Sequence, residues 1–124
     1  MAIFGVGVDL IDIKRFAGDN FDAIAVRILT ENEHAEWLNV AKKDVFLAKK
    51  FAVKEAVSKS LGTGIGKMLS FKDVEISHNE FGKPLCKISL SVLHKITGGR
   101  NADVHISLSD TESSVIAYAI TELV

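Results

Sequence analysis

The sequence predicts a single domain of the α+β class. With 124 residues, the chain is long enough to bury one hydrophobic core and too short to build two. Apolar residues recur at helical spacing through residues 21–61, whereas residues 71–121 contain short segments in which apolar and polar residues alternate. Helices therefore dominate the first half and strands the second, an order that is typical of α+β proteins.

Turn and capping residues divide the chain into predicted elements. A short buried strand is expected at residues 3–9, followed by one or two helical turns at 10–16 whose N-terminus Asp9 would cap. Thr30 and Glu33 have the spacing of a capping box and predict a helix that runs through residue 38. The other predicted elements are helices at 21–29, from 42 or 44 to 61 and at 92–97, and strands at 71–77, 85–89, 104–109 and 114–121.

Composition argues against several functional classes. The chain is 48% hydrophobic and 25% charged, and its net charge of −1 disfavours a protein that binds nucleic acid over its whole surface. No apolar run approaches the roughly 20 residues that span a bilayer, and the first residues resemble a strand more than a signal peptide. The single cysteine, Cys86, permits no internal disulfide, and we interpret it as a packed side chain. We expect a cytoplasmic protein without nucleic-acid or membrane partners.

The most informative segment is residues 50–64, which hold the second half of the predicted long helix and the glycine-rich loop after it. Glu55, Ser58, Lys59 and Gly62 are three or four residues apart and share one face of that helix. Such a row could hold a divalent metal at Glu55 and a phosphate at Lys59. The alternative is a surface ion pair between Glu55 and Lys59, which is worth only about 0.3–0.5 kcal/mol and implies no function.

Two further positions are each open to two interpretations. Asp9 ends an apolar run, where a carboxylate needs solvent, a hydrogen bond, a cation or a metal. It is either a helix N-cap or a metal ligand, and the two roles are compatible. Alternation in the strand at 104–109 places His105, Ser107 and Ser109 on one face. These side chains line a ligand site or form the solvated face of an antiparallel sheet.

The lysine and glycine patterns indicate function less specifically than the long-helix segment does. Six lysines lie within residues 42–59, either on a solvated helix face or on a surface that attracts a phosphate ligand or an acidic protein. The segment at residues 5–10 begins like a dinucleotide-binding fingerprint but lacks its third glycine. The glycines at 62–66 follow a helix instead of preceding one. Neither segment supports a P-loop or Rossmann nucleotide site.

Four motifs, in order, resemble one family: the short bacterial holo-acyl-carrier-protein synthases, which are 4′-phosphopantetheinyl transferases. GVGVDL at residues 5–10 is similar to the family's Gly-x-Gly-x-Asp strand. FAVKEAVSKSLG at 51–62 is similar to its Phe-Ala-x-Lys-Glu-Ala-x-x-Lys-x-x-Gly signature, which is the most specific of the four. FGKP at 81–84 and HISLSD at 105–110 resemble its Gly-Lys-Pro turn and its His-x-Ser/Thr strand.

The resemblance implies an activity and its catalytic residues. The family transfers 4′-phosphopantetheine from coenzyme A to a serine of apo acyl carrier protein, releases 3′,5′-ADP, and thereby supports fatty acid biosynthesis. By position, Asp9 and Glu55 would bind Mg²⁺, which prefers carboxylate, phosphate and water oxygens. Lys59 would stabilise charge on the phosphoryl oxygens. The serine proton would pass to Glu55 directly or through a metal-bound water, two routes between which the sequence does not choose.

The resemblance also implies binding surfaces. Lys14 and Arg15 occupy family positions that meet the acidic carrier protein, where opposite charge speeds encounter. Lys50 stands where relatives often have an arginine near the 3′-phosphate of coenzyme A, and lysine keeps the charge but not the fork geometry. Short members of the family are homotrimers with helices packed on a small antiparallel sheet and with sites at subunit interfaces. The residues expected to line the coenzyme A site are Lys50, Ser58, Lys59, Gly62, Lys83, Pro84, His105 and Ser107.

Two other functions compete with the transferase on the sequence. A non-catalytic module could bind an acidic protein through the lysine-rich helix without using Asp9 or Glu55. A metal-dependent phosphohydrolase could use the same carboxylates and would release phosphate without a carrier protein. Neither alternative accounts for the four motifs in order, so the transferase is the prediction.

Overall fold

Strands at both ends of the chain enclose a helical region and a small hairpin. The computed structural model describes residues 1–18 and 20–124. The elements, in chain order, are β1 (Ala2–Asp12), a 3-10 helix (Ile13–Phe16), α1 (Phe21–Ile28), α2 (Glu31–Trp37), α3 (Lys43–Ser60), a second 3-10 helix (Phe71–Asp73), β2 (Val74–His78), β3 (Pro84–Ile88), α4 (Leu90–Thr97), β4 (Ala102–Asp110) and β5 (Ser114–Leu123). The predicted α+β class and the antiparallel pairing are confirmed.

The strands form two antiparallel sheets. β5 lies in the centre of a three-stranded sheet of order β1-β5-β4, and β2 pairs only with β3. Helix α3 crosses the inner face of the larger sheet and packs on both β1 and β5. The hydrophobic core lies between them, where small residues of β5 (Val115, Ala117 and Ala119) meet the apolar side of α3.

Helix α3 is buried on more than one side. Its fully enclosed residues include Leu47, Ala52 and Val57, but also the lysines Lys50 and Lys54. The lysine-rich segment is therefore only partly a solvated face, because two of its ammonium groups point into the protein. None of the helices within the described residues is both long and apolar enough to cross a membrane.

The structure corrects the start of the chain. Residues 10–12, predicted as helical, continue β1, because Leu10, Ile11 and Asp12 stay paired with Ile116, Val115 and Ser114 of β5. Only the 3-10 helix that follows is helical. Asp9 consequently lies inside a strand, opposite Ala117, and the prediction that it caps a helix is wrong.

Other predicted boundaries are confirmed or shift by a few residues. Thr30 and Glu33 form the predicted capping box, with Thr30 N donating to Glu33 Oε1 at 2.9 Å. The strand predicted from residue 71 begins at Val74, because Ser70 and Asp73 cap a short helical turn before it. Helix α4 ends at Gly98, whose φ of 69° lies in the left-handed region.

Candidate active site

Two glycines set how β1 meets α3. A Cβ on Gly5 would overlap the carbonyl oxygen of Ser60, and a Cβ on Gly7 would overlap that of Ala56. The strand backbone therefore lies directly against the helix backbone. Alternate strand residues share a face, and two strand residues advance about as far as one helical turn. Asp9 is the next residue on the same face of β1, so its side chain also points toward α3.

Asp9 is held there by Lys59. The Lys59 ammonium donates to the Val8 carbonyl at 2.9 Å and to Asp9 Oδ1 at 3.3 Å. The Asp9 side chain is only 14% exposed, whereas that of Lys59 is 51% exposed. The second carboxylate oxygen, Asp9 Oδ2, is buried and finds no hydrogen-bond partner among residues 1–18 and 20–124. An unpartnered buried carboxylate oxygen is costly, so this atom is a candidate ligand for a cation.

Glu55 is close enough to Asp9 for the two carboxylates to interact. Burial and then the Asp9 charge raise the pKa of Glu55 above its usual value, and Lys59 and Arg15 partly offset that rise. The structure thus brings together Asp9, Glu55 and Lys59, the three expected catalytic residues. Two carboxylates, one of which has an unpartnered oxygen, suit a hard divalent cation such as Mg²⁺, which usually takes one or two carboxylates and completes its shell with phosphate and water. Within the described residues, no three His, Cys, Asp or Glu side chains form a metal cluster by themselves.

Glu55 lines a cleft of about 360 Å³, which we call the Glu55 cleft. Two arginines, Arg15 and Arg27, also line it, and Arg15 stacks over the Phe51 ring at 4.8 Å. Sequence reasoning missed Arg27, although it is the single basic residue in the otherwise largely apolar segment 21–29. The full lining consists of Arg15, Phe16, Ile24, Arg27, Ile28, Phe51, Glu55, Ile65 and Phe71.

A second cleft of about 380 Å³ opens beside Lys50, and we call it the Lys50 cleft. Lys50 is largely buried; its ammonium lies 4.9 Å from the Phe46 ring centre and donates to the Ile76 carbonyl at 3.3 Å. Burial lowers the pKa of this lysine, an effect that Glu33 partly opposes. The cleft is lined by Glu36, Phe46, Lys49, Lys50, Val53, Ile76, His78, Gly82, Pro84, Ser107 and Leu108. In the described part of the chain, the two clefts share no lining residue.

Among the other residues expected to bind coenzyme A, Pro84 and Ser107 line the Lys50 cleft, and the rest lie elsewhere. His105 and Ser107 lie on the outer face of β4, and His105 Nε2 is 3.1 Å from Glu122 Oε1. Lys83 is exposed in the turn before β3, where its amide donates to Asn79 Oδ1. Gly62 follows α3 with a φ of 77°.

Two expectations fit the geometry less well. Ser58 is fully buried and its hydroxyl donates to the Glu55 carbonyl at 2.7 Å, so its side chain offers no open surface within this chain. Lys14 and Arg15 are both exposed but line separate clefts: Lys14 lies in a groove with Asp12, Asp44 and Glu112, away from Glu55.

Cys86 is a poor nucleophile, because burial raises the pKa of its thiol to about 12.

Comparison with known proteins identifies the family. The model of the 4′-phosphopantetheinyl transferase superfamily matches residues 5–119. The chain belongs to this superfamily. The match includes the β1 glycines, Asp9 and the whole of α3, so the geometry described above lies within the family's common region.

The relatives of similar length reported next are all named holo-[acyl-carrier-protein] synthase. A holo-[acyl-carrier-protein] synthase of Ruthia magnifica is 39% identical over 123 residues, which cover 97% of each chain. The crystal structure of the synthase from Neisseria meningitidis superposes with a TM-score of 0.86 at 38% identity, covering 97% of this chain and 98% of the other. The Bacillus anthracis synthase, solved in complex with CoA (3′,5′-ADP), gives a TM-score of 0.84 at 35% identity and covers 98% of both chains.

Proposed function

We propose that this protein is a holo-acyl-carrier-protein synthase that transfers 4′-phosphopantetheine from coenzyme A to a serine of apo acyl carrier protein. The products are holo carrier protein and 3′,5′-ADP. The observation that carries the proposal is the meeting of Asp9, Glu55 and Lys59 at the junction of β1 and α3, within a chain of this superfamily. The whole chain, residues 1–124, would act as one transferase domain in the cytoplasm and serve fatty acid biosynthesis.

Mg²⁺ is the metal that this donor set fits. Asp9 and Glu55 would hold it, and the unpartnered Asp9 Oδ2 supports that assignment because it has an unused lone pair in a buried position. When bound, Mg²⁺ supplies Lewis-acid stabilisation of charge on the pyrophosphate of coenzyme A.

The chain's own residues would supply the remaining chemistry. The Lys59 ammonium is half exposed and fixed by the Val8 carbonyl, so it can stabilise charge on phosphoryl oxygens without a large rearrangement. Glu55 would accept the proton of the attacking serine, because it lies beside Asp9 and Lys59 and also lines an open cleft. The Ser58 hydroxyl bonds to the Glu55 carbonyl and would act on the helix backbone, not on the ligand.

We assign the two clefts to the two substrates. The Lys50 cleft would receive coenzyme A, because it brings Lys50 and Lys49 together with Pro84 and Ser107, a setting for a phosphorylated ligand. His105 and Lys83 would complete this site, and Gly62, about 18 Å further along α3 than Lys50, would join it from a partner chain. The Glu55 cleft would receive the carrier protein, because two arginines line it together with Glu55, the proposed proton acceptor. Arg15 and Arg27 would meet the acidic partner there, with Lys14 contributing from the neighbouring groove.

We also propose a homotrimer with shared sites. The outer face of the larger sheet exposes Val6, Val8, Leu10, Ile116 and Tyr118, which we call the outer apolar face. These side chains are cross-strand neighbours, so they form one continuous patch. Ser107 lies opposite Tyr118 on the adjoining strand, so the patch borders residues assigned to coenzyme A. A partner chain that covers the patch would bring its own site residues to that border.

The activity is tested by weighing the carrier protein. Apo acyl carrier protein is incubated with this protein, coenzyme A and Mg²⁺, and mass spectrometry is expected to show the gain of one phosphopantetheine. Glu55→Gln should abolish most of that gain, whereas Glu31→Gln, a matched change at an exposed site on α2, should not. A phosphate product formed without any change in carrier mass would identify a phosphohydrolase instead.

A further inference from the structure

A buried lysine next to Glu55 in the chain has a role that the catalytic scheme leaves unassigned. Lys54 Nζ lies 2.6 Å from Glu33 Oε1, and the two side chains are 0% and 1% exposed. The same ammonium donates to the Ile28 carbonyl at 2.7 Å and to the Phe71 carbonyl at 3.0 Å. An ammonium has three hydrogens, so every donor of Lys54 is used.

The carboxylate of the pair is equally engaged. Glu33 Oε1 also accepts from the Thr30 amide at 2.9 Å, and Glu33 Oε2 accepts from the Ile76 amide at 2.7 Å. The Ile76 carbonyl in turn accepts from Lys50. Glu33 therefore ties α2 to strand β2, while Lys54 ties α3 to the end of α1 and to the second 3-10 helix.

A gain in folding stability does not by itself explain a buried ion pair between Glu33 and Lys54. Removing two charges from water is costly, and replacing a buried ion pair with apolar residues of similar volume is often neutral or stabilising. The groups that the pair fixes are more informative. Ile28 and Phe71, whose carbonyls bind Lys54, both line the Glu55 cleft, and Ile76, whose amide binds Glu33, lines the Lys50 cleft.

We propose that Glu33 and Lys54 are positioning residues that hold the walls of the two substrate clefts, with Lys54 acting on the Glu55 cleft and Glu33 on the Lys50 cleft. This inference rests on the proposed function, because it assigns the first cleft to the carrier protein and the second to coenzyme A. Neither side chain touches a substrate; each acts through main-chain groups of residues that do.

Two variants test the roles of Lys54 and Glu33 separately. Lys54→Met removes the three donors and releases the Ile28 and Phe71 carbonyls, while the length and volume of the side chain stay similar. Glu33 also loses its cation in this variant, but it stays bonded to the Thr30 and Ile76 amides. Glu33→Gln keeps one oxygen that can accept from Lys54, but its amide nitrogen then faces the Ile76 amide, donor against donor. The first variant thus loosens the Glu55 cleft and the second the Lys50 cleft.

The matched control is Lys43→Met. Lys43 also lies on α3, and its ammonium donates to the Trp37 carbonyl at 2.7 Å and the Val40 carbonyl at 3.1 Å. It lines neither substrate cleft. It therefore reports the effect of removing a lysine that joins main-chain carbonyls where no substrate binds. Far-ultraviolet circular dichroism and the melting temperature identify the conditions in which each variant is folded.

Steady-state kinetics on the folded proteins test the inference. Lys54→Met should raise the KM for apo carrier protein by about tenfold, and Glu33→Gln should raise the KM for coenzyme A by a similar factor, since each releases buried main-chain groups at one cleft. The other KM of each variant, and both KM values of Lys43→Met, should stay within about twofold of the unaltered protein.

Two results would overturn the inference. One is unchanged KM values in both folded variants. The other is an equal rise in both KM values that follows the loss of melting temperature, as a purely structural ion pair would give. Failure of the proposed function is distinct, because the unaltered protein itself would then leave the carrier mass unchanged. If a variant is unfolded at assay temperature, its affinity for coenzyme A and carrier protein is measured by calorimetry at a lower temperature, with the same expected pattern.

Discussion

Gly5 and Gly7 are important because neither has a Cβ atom. Both face α3 at positions where a Cβ would overlap a helix carbonyl oxygen. Their absence of bulk lets β1 lie against α3, and that contact brings Asp9 to Glu55 and Lys59. The two glycines of the Gly-x-Gly-x-Asp pattern therefore serve close packing, its aspartate is a candidate metal ligand, and no nucleotide loop is needed to explain the glycines.

Substitution of one glycine tests this close approach. Gly7→Ala should lower the free energy of unfolding by about 1–3 kcal/mol or more, because the added methyl group overpacks a contact between two backbones. Urea unfolding measures the change. Gly66→Ala, at a site with open space, should stay within about 0.5 kcal/mol of the unaltered protein. Equal stability of the two variants would contradict the packing account.

The sequence predicted which residues form the candidate site where those residues belong to a recognisable local motif. Asp9, Glu55 and Lys59 were expected together, and the structure brings them together. The pairing of Glu33 with Lys54 was not expected, because it joins residues 21 positions apart and depends on how α2 packs on α3. A lysine in a charged segment looks the same in sequence whether its ammonium reaches solvent or a buried carboxylate.

Among the elements, β1 and α3 determine the site. The predicted end of β1 was wrong because residues 10–13 (LIDI) fit either a helical or an extended pattern, and pairing with β5 decides in favour of the strand. Helix α3 was predicted within two residues, since its length and the glycine after it are strong local signals. Local pattern thus fixed the helix, whereas a partner strand far along the chain fixed the end of β1.

Helix α2 offers an element-scale test through its capping box. Thr30→Ala removes the acceptor of the Glu33 amide and the hydroxyl that donates to Glu75 Oε1 at 2.6 Å. We expect a loss of about 1–2 kcal/mol in the free energy of unfolding, from the cap together with one further hydrogen bond. Urea unfolding measures it. Asn32→Ala, at an exposed position on the same helix, is the control, and a loss as large as that of Thr30→Ala would contradict the assignment.

For the whole molecule, the outer apolar face is the feature that a single chain leaves unexplained. Leu10 is 68% exposed, Val8 48% and Tyr118 44%, and register places Val8 beside Tyr118 and Leu10 beside Ile116. Sequence alternation predicted the outward face of β4, but strand order was needed to place β1 and β5 side by side. The two substrate clefts of one chain share no lining residue within the described part. Both observations support the proposed association of chains, and the number of three is what the family resemblance implies.

A charge in the outer apolar face tests that assembly. Tyr118→Glu should convert the trimer to monomers, because a buried carboxylate without a partner opposes association. Analytical ultracentrifugation measures the mass. Leu38→Glu changes an exposed apolar residue at the end of α2, away from the sheet, and should leave the trimer intact. A monomeric unaltered protein with full activity would refute the proposed assembly.

The central claim is that Asp9 and Glu55 act on one cation. A double-mutant cycle with Asp9→Asn and Glu55→Gln, read as the rate of phosphopantetheine transfer to carrier protein, tests it most directly. Each single change should lower kcat by about 10²–10³-fold, and the double variant should be little worse than the poorer single one, because residues that act as a unit are not additive. Losses that multiply in the double variant, or single variants with unaltered kcat, would contradict the claim.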